Sequence, residues 1–104
     1  MSGDERVRLT LVFPPALEPA LIDEVLAFTP VVPGFTTWTG EGHAAGFDRA
    51  SATERVRGRV GRRMLTVVWT RARIDTLLAA LRTRMPGTDV YWWIEPVLDS
   101  GSFR

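Results

Sequence analysis

Residues 40–63, GEGHAAGFDRASATERVRGRVGRR, hold the chain's only His and six of its Arg. Guanidinium forks bind phosphate and carboxylate through paired hydrogen bonds. Arg55, Arg57, Arg59, Arg62 and Arg63 therefore form a candidate anion site, although the same run also suits a solvated strand edge, where charge discourages aggregation. Glu41 and His43 are a candidate half of a metal site, completed only if copies of the chain converge on one axis. Taken alone, a loop His such as His43 is usually a solvent-exposed residue. Ser51, His43 and Asp48 have the residue types of a hydrolytic triad, but no strained strand-to-helix turn presents the serine.

Other chemistry is limited by composition. The 104-residue chain contains no Cys, which removes disulfides, thiolate metal sites and thiol nucleophiles. It contains no Asn, so an acylphosphatase-like Arg and Asn pair is absent. GEGHAAG opens no helix of a parallel βαβ unit, so it is not a dinucleotide fingerprint, and no Walker sequence occurs. Every basic residue is Arg, and the net charge is only +1, which gives no global attraction to nucleic acid. The N-terminal MSGDERVR lacks the apolar centre of a signal peptide, and no apolar run approaches the roughly 18 residues of a membrane span. The expectation is a soluble, cytoplasmic, non-enzymatic protein whose cofactor, if it has one, is unknown.

The elements that position these residues follow from periodicity. Val7, Leu9, Leu11 and Phe13 alternate with Arg8, Thr10 and Val12, which predicts a strand ended by Pro14-Pro15. Leu17, Leu21, Val25 and Phe28 repeat at helical spacing and predict a helix over about 16–28. Phe35–Thr39 is a short β-branched and aromatic run, and residues 60–70 form a third strand. Ile74, Leu77, Leu78, Leu81 and Met85 predict a second helix from about Ala72, stopped by Pro86-Gly87. Asp89–Glu95 is the fourth strand. The order β-α-β-β-α-β is the ferredoxin-like split βαβ, an α+β fold with a four-stranded antiparallel sheet and two helices on one face. Residues 1–104 read as one domain, with a long connection at about 40–59.

One face of that sheet is expected to lie under the helices: Val7, Leu9, Leu11 and Phe13 with Leu65, Val67, Trp69, Val90, Trp92 and Ile94. The other then carries Val12, Met64, Val68, Tyr91 and Trp93, and an apolar open face of this kind suits an interface between subunits. RNA-binding domains of this fold stack bases there, but their basic-glycine-aromatic pattern is missing from RRMLTVVW, so no nucleic-acid partner is expected.

FPPALEPALIDEVL at 13–26, PGFTTWTGEGH at 33–43, ERVRGRVGRR at 54–63 and PGTDVYWWIEPVLDSG at 86–101 together resemble the PII signal-protein superfamily. The resemblance is to an uncharacterised PII-like branch often found near heavy-metal efflux systems. It implies a homotrimer with the sheets turned inward, a partner-binding loop (the T-loop) between strands two and three, and effectors in clefts between subunits. It further implies a ligand-sensing role, with Gly40, Glu41, Gly42 and His43 on one side of the loop base and Arg57, Arg59, Arg62 and Arg63 on the other. An anion would use the Arg set, and a divalent metal would use Glu41 and His43. A membrane transporter and metal homeostasis are the partner and setting it suggests. Two departures stand out. No Lys or Arg occurs at Met85–Thr88, where nucleotide-binding PII proteins hold phosphates, and the only Tyr, Tyr91, is in a strand. The alternatives are a small ferredoxin-like enzyme or a divalent-metal binder resembling CutA.

Overall fold

The computed structural model describes residues 3–42 and 60–104. The chain runs β1 (Arg6–Phe13), a 3₁₀ turn (Pro15–Leu17), α1 (Glu18–Ala27), β2 (Phe35–Gly42), β3 (Val60–Thr70), α2 (Arg71–Arg84) and β4 (Tyr91–Pro96). The four strands form one sheet in the order β2-β3-β1-β4, and every neighbouring pair is antiparallel. This is the expected β-α-β-β-α-β arrangement, with β1 and β3 at the centre.

Alternation in β1 sends Val7, Leu9, Leu11 and Phe13 to the helix side, where all are buried. Leu65 and Val67 lie opposite Leu11 and Leu9 and complete the sheet's contribution. The helices answer with Leu21 and Val25 from α1 and with Ile74, Leu77, Leu78 and Leu81 from α2. Phe28 closes one end through an edge-to-face contact with Trp69, the ring centroids being 6.2 Å apart.

The segment before β1 serves α2. Its first amides have no partner within the helix, and Arg71 and Ala72 donate instead to the carbonyls of Glu5 and Gly3 at 2.8 and 3.1 Å. Gly3 is needed at that contact, because a Cβ there would lie 2.7 Å from the Ala72 Cβ. At the other end of α2, Gly87 turns the chain with a φ of 70°, and the Thr88 hydroxyl donates to the Met85 carbonyl.

Three boundaries differ from the sequence reading. Proline at 14, 15 and 19 tightens the entry to α1 into a 3₁₀ turn, so the α-helix begins at Glu18. Strand β2 continues past Thr39 to Gly42, because β3 is long enough to pair with it: Gly40 faces Arg62, Glu41 faces Gly61 and Gly42 faces Val60. Strand β4 begins at Tyr91, the backbone at Thr88–Val90 being used in a local turn.

The core assignment makes a direct prediction. Leu9→Ala should lower the unfolding free energy by about 2–5 kcal/mol in urea titration, the range for a buried leucine truncation. Arg73→Ala, on the exposed side of α2, should change it by no more than about 0.5 kcal/mol.

Candidate functional site

Strands β2 and β3 outrun the rest of the sheet. The last pair between β1 and β3 is Phe13 with Arg63. Beyond it only β2 and β3 pair, out to Gly42 and Val60, forming a two-stranded ribbon from which residues 43–59 depart. An isolated two-stranded ribbon is marginal in water, so its root needs support.

Arg63 supplies that support on the helix side. Its Nε donates to the Glu18 carboxylate at 2.7 Å, and its Nη1 and Nη2 donate to the hydroxyls of Thr39 and Thr37 at 2.6 and 2.9 Å. One guanidinium thus ties β3 to β2 and to the first residue of α1. Arg62 points to the opposite face, as adjacent strand residues must. Its Nη2 lies 3.5 Å from the Asp89 carboxylate, in the turn before β4, and both side chains are largely covered. The ribbon root is therefore held on each face by a different Arg.

This geometry separates the sequence candidates. Gly40, Glu41 and Gly42 belong to β2, and Arg62 and Arg63 to β3, so they are strand residues at the loop base. Arg62 and Arg63 cannot converge on one anion from opposite faces, and each already engages a carboxylate. His43, Arg57 and Arg59 lie outside the described residues, as do Arg55, Asp48 and Ser51. Among the described residues, no three His, Asp or Glu gather as a metal site.

The open face is as the alternation predicts. Val12, Met64 and Tyr91 lie in one row, Trp93 in the next and Val68 beyond it. Trp38 completes the first row, giving Trp38, Met64, Val12 and Tyr91 across all four strands. The sequence reading omitted Trp38, although period two already puts it opposite Phe35. Tyr91 is 62% exposed and Trp38 and Trp93 about two-fifths exposed, so the row meets solvent in a single chain.

A polar cluster borders that row. Glu95 Oε1 accepts from Arg8 Nε and Nη2 at 3.1 and 2.8 Å and from Trp93 Nε1 at 3.0 Å. The Arg8 hydrogen bond, then the Trp93 hydrogen bond, hold the Glu95 carboxyl below its ordinary range.

Trp92 departs from expectation. It shares the helix-side face with Leu11, its partner across the ladder, yet is 43% exposed. The cause is position: β4 is the sheet edge, and α2 leaves a cavity of about 420 Å³ beside it. Leu11, Leu21, Leu78 and Leu81 form part of its lining, with Trp92 and the 85–88 turn.

The Protein of unknown function (DUF3240) family model matches residues 3–104. No curated protein matches the sequence. A crystal structure of a DUF3240 family protein from Shewanella baltica superposes with a TM-score of 0.77 at 17% identity, covering 100% of both chains. A putative PII-like signaling protein from Thermus thermophilus gives 0.61 at 22% identity, over 88% of this chain and 86% of that one. GlnK of Bacillus subtilis, in its ATP complex, gives 0.65 at 14% identity, over 93% and 84%. The fold is thus the one shared by PII proteins.

Two outcomes follow from the ion pairs. Arg63→Met should cost roughly 1.5–3 kcal/mol, the range for charged hydrogen bonds, and should speed amide exchange in β2 around Thr37–Thr39. For Glu95, a lowered folded-state pKa means a contribution present above the unfolded carboxylate value and lost as pH falls through the folded one. Its carboxyl carbon should titrate below a free glutamate by NMR, and Arg8→Ala should move it back up.

Proposed function

The chain belongs to the DUF3240 family, and from that premise we propose that it is a PII-like regulatory protein that works as a homotrimer. The carrying observation is the apolar row Trp38, Met64, Val12 and Tyr91 on the face that the helices leave open. Aromatic side chains aligned in this way suit the buried centre of a subunit interface. Trp93 and Val68 extend the row, and the Arg8–Glu95 pair gives it a polar rim.

In this reading the trimer holds the β2–β3 ribbons at its edges. A small ligand binds at the ribbon base near Gly40, Glu41 and Gly42 and changes how residues 43–59 meet a partner. Only a ligand with different affinity for two arrangements of that connection shifts its population. An anion draws on Arg57 and Arg59, with Arg62 released from Asp89; a divalent metal draws on Glu41 and His43 from neighbouring copies. Arg63 keeps the ribbon root fixed while the connection changes. A membrane transporter of a metal-efflux system is the proposed partner, and the cytoplasm is the proposed location. No helix among the described residues is long and apolar enough to cross a membrane itself.

Native mass spectrometry tests the assembly, given a chain of 11.6 kDa. The expected species is a trimer. Tyr91→Glu, at an exposed edge-strand position, should convert it to folded monomer with unchanged circular dichroism. A monomeric parent chain overturns the reading. Thermal shift against ATP, inorganic phosphate and Zn²⁺ tests the ligand. A rise in Tm with phosphate or ATP that disappears in Arg57→Ala/Arg59→Ala, or with Zn²⁺ that disappears in Glu41→Ala/His43→Ala, supports the site, since a ligand of the folded form stabilises it.

A further inference from the structure

Apart from the open-face row, two apolar features among the described residues face solvent and are complementary. One is the cavity between α2 and the edge strand β4, with Leu11, Leu21, Leu78 and Leu81 against it and Trp92 half open to solvent. Its volume, about 420 Å³, is enough for an aromatic side chain with flanking residues. The other is the segment after β4, VLDSGSFR, in which Leu98 and Phe103 are completely exposed. Beyond Val97 the backbone makes no ladder bond to the described residues: Val97 N–H donates to the Arg6 carbonyl, and the later contacts are local, Ser100 to Asp99 and Arg104 to Ser102.

We propose that residues 98–103 of one copy dock on a second copy, with Phe103 seated in the cavity between α2 and β4. The same chain cannot make this contact. The cavity lies toward the Val90–Trp92 end of β4, and the tail leaves from the other end. Val97 is held by Arg6, so a four-residue reversal that starts there ends at Ser100. That leaves Gly101, Ser102 and Phe103, about 10 Å of extended chain, against the roughly 17 Å back from Val97 to Trp92 at about 3.4 Å per residue. A neighbouring chain has no such limit. Charge agrees with the placement. Among the described residues Arg82, in the cavity lining, pairs with no carboxylate, and Asp99, the carboxylate side chain of the tail, accepts from the Ser100 amide. Docking also covers Trp92, the large aromatic residue on the helix side of the sheet that the fold leaves 43% exposed.

This inference rests on the oligomeric reading but is separable from it. The absence of Cys allows a clean test. Each chain would carry a single introduced thiol: Ser102→Cys beside an intact Phe103, Pro86→Cys at the exposed cavity rim, and Asp23→Cys on exposed α1 as control. With one thiol per chain, any mixed disulfide is necessarily between copies. The 102 and 86 variants are co-expressed, oxidised gently and read as disulfide-linked peptides by mass spectrometry. A docked tail raises the effective concentration at the rim, so the 102–86 pair should exceed the 102–23 pair on the order of tenfold. Adding Phe103→Ala should remove the excess. Equal yields, or an excess that survives Phe103→Ala, overturn the inference. A trimeric native mass with no 102–86 excess overturns the tail contact alone, whereas a monomeric mass overturns both.

Discussion

The fold depends on the burial of β1. It shares the centre of the sheet with β3, and its helix-side residues Leu9, Leu11 and Phe13 are almost wholly removed from water. Its other face is not abandoned either. Thr10 is buried there at 2% exposure, beside Thr66 and Trp93 in the same row. The Thr66 hydroxyl donates to the Leu9 carbonyl, so the polar groups at the centre of the sheet are satisfied without water. Because β1 is fixed on both faces, everything tied to it inherits a defined register, including β3 and the ribbon that β3 carries.

That register explains why two adjacent arginines do different work. In a strand, neighbours face opposite ways, so Arg63 reaches the helix layer while Arg62 reaches the turn before β4. The position is also where β1 stops. A two-stranded extension has no third strand to stiffen it, and the Arg63 contacts to Glu18, Thr37 and Thr39 fall at the last three-stranded row. The sheet passes its rigidity to the ribbon there. A root braced in this way keeps Gly42 and Val60, the two ends of the ribbon, at a defined place on the scaffold.

Much of this was legible in the sequence for a simple reason: periods of 2.0 and 3.6 residues differ enough to be told apart in β1, β3, α1 and α2. The helix-side and open-face sets followed from alternation once the topology was known. What was hidden needed a partner's position. The extension of β2 through Gly40, Glu41 and Gly42 has no local signal, because glycine disfavours strands and only the length of β3 recruits them. The carboxylates that meet Arg62 and Arg63 lie 27 and 45 residues away. The exposure of Trp92 also had no local sign, since an apolar residue on the correct face is covered only if a helix lies above it.

The apolar surfaces left over are unequal in kind, and the difference matters for assembly. The open-face row is flat and crosses four strands, so it suits a like surface from another copy and supplies area. The α2–β4 cavity is concave, so it suits an inserted side chain and supplies register. Flat apolar contacts tolerate sliding, because neighbouring aromatic and aliphatic groups are nearly equivalent partners. A ring held in a pocket does not slide without losing its contacts. An assembly that uses both gains cohesion from the sheet and a fixed orientation from the tail. That combination would hold each ribbon, through its Arg62 and Arg63 anchors, at a set position on the neighbouring subunit.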